Sequence, residues 1–136
     1  MNNLFVPFEQ SLHLKELGFQ EECFGCYELA EFRDYKNNGP DIRNEMVLNT
    51  LYGYRKYNDV IQTSAPLYQQ AFRWFREKYD IYPILETKRY FERPLKWIYS
   101  TCKVDGSYDE EYSNYDTYEE AELACLIKLI EIAKNK

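Results

Sequence analysis

Residues 23 to 26 read Cys-Phe-Gly-Cys, the only C-x-x-C in the chain. Two thiols at this spacing hold zinc when both sulfurs leave one side of a tight turn and two further ligands complete a tetrahedron. They act as a redox pair when the first opens a helix whose dipole stabilises thiolate. The neighbouring residues suit neither arrangement. Glu21 and Glu22 precede the pair, no helical pattern follows, and ECFGCYELAEF reads as extended and aromatic-rich. In a strand, residues three apart face opposite ways, so Cys23 and Cys26 diverge. Gly25 permits a turn instead, which keeps metal binding at Cys23 and Cys26 as an alternative. Cys102, Cys125 and the single histidine, His13, are isolated. The favoured expectation is a pair of small buried hydrophobes, with no cofactor and no metal.

A second group mixes cations with aromatic rings: Lys88, Arg89, Tyr90, Arg93, Lys96 and Trp97. On one exposed strand face these would form a stacking platform for single-stranded nucleic acid. Glu86 and Glu92 dilute the charge, and a pI near 4.9 weakens the electrostatic term that dominates such binding. A strand with cations lying along its apolar surface is preferred, with nucleic acid kept as the alternative.

The third group is acidic. Asp105 to Glu122 holds eight carboxylates and no basic residue, interleaved with Tyr108, Tyr112, Tyr115 and Tyr118. Its spacing does not match a helix–loop–helix calcium site. Tyr108, Asp109, Glu110, Glu111, Tyr112 and Tyr115 are the candidates for docking a basic protein partner by charge complementarity. The simpler expectation is a solvated loop leading into a helix whose first turn favours acids. Catalytic patterns are missing: no G-x-S-x-G, no H-E-x-x-H, and only five scattered glycines. A non-enzymatic role is therefore expected.

These groups must be carried by elements that hydrophobic periodicity can locate. Pro7 precedes a short helix over FEQSLHLKEL, stopped by Gly18-Phe19. Asn37-Asn38-Gly39-Pro40 signals a turn, and MVLNTLYGYRKY leans toward strand. A second helix is expected over 64–79, with Ser64 as N-cap and Pro66 in its first turn. Leu67, Tyr68, Ala71, Phe72, Trp74, Phe75 and Tyr79 share its apolar arc, leaving Gln69, Gln70, Arg73, Arg76 and Glu77 in water. Ile81 to Val104 is extended, with Pro83 and Pro94 at strand starts, bulges or edges, and Asp105-Gly106 turns the chain. Thr117-x-x-Glu120 is a capping box opening a last helix, about 118–133.

The expected class is α+β: a single domain with one antiparallel sheet of four or five strands and about three helices, two of them packed on one face. With 136 residues the chain buries roughly two thirds of its unfolded surface and needs no staple. Fourteen tyrosines raise the aromatic share to 18%, which suits wet sheet edges or a contact surface.

Charge is segregated along the chain. Residues 1–54 carry nine acids and four bases, 55–103 five acids and ten bases, and 104–136 nine acids and three bases. The amino-terminal residues hold no leader pattern, and Leu123 to Ile132, the longest nearly apolar run, is too short to span a bilayer. A cytoplasmic location with reduced thiols and no membrane contact is expected.

SAPLYQQAFRWFREKY and TYEEAELACLIKLIEIAKNK resemble stretches of small uncharacterised proteins of gut bacteria and their phages. The resemblance covers two helices and includes no catalytic signature. It implies a shared fold and an accessory role in a phage or mobile element. The sequence-based expectation is a binding protein that contacts a protein partner or its own copy.

Overall fold

The computed structural model describes residues 4–28, 39–47, 62–88 and 95–135, with backbone alone at 28, 43–47, 62 and 108–112. By contacts the chain divides into two compact units, Met1–Ala71 and Phe72–Lys136.

The first unit contains α1 (Phe8–Glu16), β1 (Cys23–Glu28), β2 (Asp41–Val47) and β3 (Gln62–Ala65). The sheet order is β2-β1-β3, both pairs antiparallel. α1 lies against β3. Pro7 starts α1, its missing N–H costing nothing there, and Gly18 (φ 98°) ends it. The Gly18 and Phe19 amides donate to the Lys15 and Leu14 carbonyls, a Schellman closure that leaves Leu14 and Phe19 buried.

A small core forms around the start of the chain. Phe5, Tyr27 and Ala65 are buried together, with Phe8, Phe24 and Leu67 packed on them. Phe8 meets Tyr27 edge to face at 5.4 Å. The Tyr27 hydroxyl and the Ser11 hydroxyl both donate to the Val6 carbonyl, at 2.7 and 3.2 Å. Val6 N–H donates to the Pro66 carbonyl, and Phe5 bridges Leu67. The polar groups of this buried segment are thus satisfied locally.

α2 (Tyr68–Tyr79) runs through the division point. It starts four residues later than expected, because Ser64 belongs to β3 with its side chain buried. Capping comes from inside the helix instead. Gln70 Oε1 accepts the Leu67 N–H at 3.0 Å, while Gln70 Nε2 donates to the Glu22 carbonyl at 3.0 Å. Gln70, expected in water, is therefore buried. Ala71, Trp74 and Phe75 are buried as the apolar arc requires, and Arg73 is exposed, but Arg76 is half-buried.

The second unit holds β4 (Ile81–Lys88), β5 (Lys96–Lys103), β6 (Tyr108–Tyr115) and α3 (Tyr118–Lys134). The order is β4-β5-β6, antiparallel throughout, and α3 lies against all three strands. Gly106 (φ 86°) turns the chain between β5 and β6, where Asp105 Oδ1 accepts the Ser107 N–H at 2.8 Å. Thr117 caps α3 by accepting the Glu120 N–H, and the Glu120 carboxylate reaches back one residue further than a capping box requires, to the Asp116 N–H.

The α+β class is as expected, whereas the sheet differs. Among the described residues there are two sheets of three strands, not one of four or five. α1 and α3 lie against different sheets, since each unit packs its own helix. The strand expected to begin at Met46 ends at Val47, and the rest of MVLNTLYGYRKY lies outside the described residues, as do Asn37 and Asn38.

Candidate functional site

Cys23 and Cys26 lie in β1, both buried and neither in a disulfide. Burial, less the opposing effect of the Ser64 hydroxyl and with the Glu21 charge adding, pushes the Cys23 thiol up to about 12. That hydroxyl lies close enough to act on Cys23 but makes no hydrogen bond of ordinary geometry. Cys23 Sγ contacts the Glu21 carbonyl at 3.4 Å. Among the described residues no three His, Cys, Asp or Glu side chains are grouped to hold a metal. The glycine of the motif has a packing cause. A Cβ at Gly25 would stand 2.9 Å from Phe5 Cε1 and 3.0 Å from both the Ala65 Cβ and its carbonyl oxygen. CFGC is a core strand notched to admit a phenylalanine ring.

The other two candidate groups meet in the second unit. Lys88 ends β4 opposite Lys96, while Arg89, Tyr90 and Arg93 lie outside the described residues. Lys96 and Trp97 open β5, and the acidic stretch expected as a loop is a strand, β6, paired to β5. Trp97 faces Tyr115, Tyr99 faces Glu111, Ser100 faces Glu110, Thr101 faces Asp109 and Cys102 faces Tyr108. Tyr112 lies on β6 between these pairs. β5 has neighbours on both edges, which a loop in the place of β6 would not supply.

This pairing joins the basic strand to the acidic one. Lys96 Nζ forms an ion pair with Asp116, just past β6. Trp97 packs edge to face on Tyr118 at 5.1 Å, and Tyr99 lies tilted on Tyr115 at 6.2 Å. Trp97 and Tyr115 are half-buried and Tyr118 is 38% exposed. The result is a group of aromatic rings where β5 begins, β6 ends and α3 starts, with the Lys96–Asp116 ion pair at the same strand ends.

One turn into α3, Glu122 is buried. Burial raises its carboxyl above the ordinary carboxylate range, opposed by a hydrogen bond from the Tyr118 hydroxyl, with the Glu119 charge raising it further. Partial burial and the Glu122 charge push Tyr118 up to about 12, and burial with the same charge lifts Cys125 to about 12. Sequence reasoning did not single out Asp116 or Glu122. The i, i+4 spacing of Tyr118 and Glu122 at a helix start was the available signal. Comparison with known proteins finds no match to the chain among family models, curated proteins or solved structures.

Proposed function

We propose that the protein is a binding module that works by protein–protein contact, through β6 and the start of α3. One observation carries this. The acidic, tyrosine-rich stretch is an ordered strand that, among the described residues, pairs with β5 alone. A strand paired on one side among the described residues suits the addition of a partner strand, and its acidic sequence favours a basic partner. The accessory role in a phage or mobile element implied by the resemblance belongs to the same proposal. Two contacts weigh against the nucleic-acid alternative: Lys96 is ion-paired with Asp116, and Trp97 packs edge to face on Tyr118.

Photo-crosslinking from exposed Ser113, with exposed Ile42 as control, tests this in cells expressing the chain. A protein adduct at 113, a second copy included, is expected, absent at 42 and lost in the Glu110→Lys/Glu111→Lys variant. No adduct, or one with nucleic acid, would overturn the proposal. Single-stranded DNA should bind no tighter than ~100 μM at physiological salt.

A further inference from the structure

We propose that the outer face of α3 pairs with the same face of a second copy of the chain, the two helices antiparallel with Ile127 on the two-fold axis. This contact is separate from β6 and does not rest on the binding role proposed for that strand. α3 carries more apolar residues than its own sheet covers. Ala121, Cys125, Leu126, Leu129, Ile130 and Ala133 are buried, and α3 lies against β4, β5 and β6. Leu123 and Ala124 are only half-buried, and Ile127 is 45% exposed. These three share one side of the helix, within an arc of about 100°.

A lone exposed isoleucine would need no explanation, but the charges in line with it are ordered. Glu120, Ile127 and Lys134 are all exposed and stand seven residues apart. Two turns separate each from the next with a drift of about 20° per step, so the three form one line along the helix. The line reads acid, apolar, base. Run antiparallel about Ile127, it is its own complement: the isoleucines meet at the centre, and Glu120 of each copy meets Lys134 of the other. Glu120 Oε2 accepts the Asp116 N–H, a neutral donor that holds the carboxylate without cancelling its charge. Glu131, the other acid on this side, is ion-paired with Lys128 at 3.4 Å, so it brings little net charge to the centre. Opposed helix dipoles favour the same antiparallel sense. A uniformly basic or acidic helix would match one end of the line and repel the other, so the pattern selects a copy of this chain.

The test is sedimentation equilibrium of the intact protein over a series of concentrations. A contact of this size is weak, so a monomer–dimer equilibrium with Kd on the order of 0.1 mM is expected. Ile127→Lys should abolish the dimer. Glu120→Lys and Lys134→Glu should each weaken it roughly tenfold, because two attractive pairs become repulsive. The double variant Glu120→Lys/Lys134→Glu restores an acid–base match at both ends and should regain most of the affinity. That rescue excludes a folding effect, since the bond from Glu120 to the Asp116 N–H is lost in the single and the double variant alike. A monomer up to about 1 mM, a dimer indifferent to Ile127→Lys, or a double variant no better than the singles would overturn the inference. Glu110→Lys/Glu111→Lys should still dimerise. Loss of the dimer in that variant would move self-association to β6, overturning this inference while leaving the binding module standing.

Discussion

The Phe5 ring sits over Gly25 with no room for a methyl group between them: an added Cβ would lie 2.9 Å from Phe5 Cε1. The same Cβ would press on the Ala65 backbone, so a rotation of the Phe5 ring alone does not relieve it. Gly25→Ala should therefore destabilise the protein by about 1–3 kcal/mol, as overpacking of a tight core does. Chemical denaturation measures it. A Phe5→Leu change in the same chain should recover part of the loss, because it removes the ring edge that the methyl meets. Independent, additive effects would show that the two residues do not share this contact.

The thiols should separate by accessibility. Cys23, Cys26 and Cys125 are buried, and burial lifts Cys23 and Cys125 to about 12, so neither forms thiolate near neutrality. Cys102 is half-buried. A disulfide reagent at pH 8 should titrate about one thiol per chain quickly and the other three only on unfolding. Zinc should copurify at well under one ion per chain, and a chelator should leave the unfolding midpoint unchanged. Stoichiometric zinc with chelator-induced unfolding would show that Cys23 and Cys26 converge on a metal.

The elements legible in the sequence were those specified by local chemistry. Pro7 and Gly18 bracket α1, the apolar arc marks α2, and Thr117 opens α3. Cys23–Glu28, Ile81–Lys88 and Lys96–Lys103 carry the aromatic and branched residues of strands. The misreadings share a cause. Ser64 before Pro66 imitates a helix start, yet pairing with β1 claims it for β3. Tyr108–Tyr115 has poor strand propensity over Asp109–Glu111, yet β5 supplies hydrogen-bond partners along it. Strand pairing is long-range, and local propensity yields to it. The candidate site shows the same division. Its residue types were visible, while the meeting of Lys96 with Asp116 and of Trp97 with Tyr118 depends on register.

α2 provides a direct test of side-chain placement. Phe75 is fully buried, so Phe75→Ala should cost about 3–5 kcal/mol. Arg73 is exposed and lies 4.0 Å from Glu77, a surface pair, so Arg73→Ala should stay within about 0.5 kcal/mol. Gln70→Ala separates the structure from the periodicity. On an exposed face it would be silent. Here it strips the Leu67 N–H and the Glu22 carbonyl of their partner, and about 1–3 kcal/mol should be lost. Urea midpoints of the three variants decide the order.

Glu122 should give the protein a pH-dependent weakness. Its folded carboxyl titrates above the ordinary value because burial penalises the charged form. A group raised in this way contributes fully below its unfolded pKa, and that contribution is lost as pH rises through the folded one. Wild type and Glu122→Gln should therefore unfold at similar denaturant concentrations near about pH 3, where the carboxyl is protonated in both states. As pH rises to about 7 the wild type should fall behind, since it alone must hold a buried charge. Tyr118→Phe sharpens the test. The Tyr118 hydroxyl stabilises the Glu122 carboxylate, so its removal should raise the carboxyl further and widen the gap from the glutamine variant. In the double variant Tyr118→Phe/Glu122→Gln no carboxylate remains to be stabilised, and the pH-dependent part should vanish. Parallel pH profiles for wild type and Glu122→Gln would mean that Glu122 is as well solvated in the folded protein as in the unfolded chain.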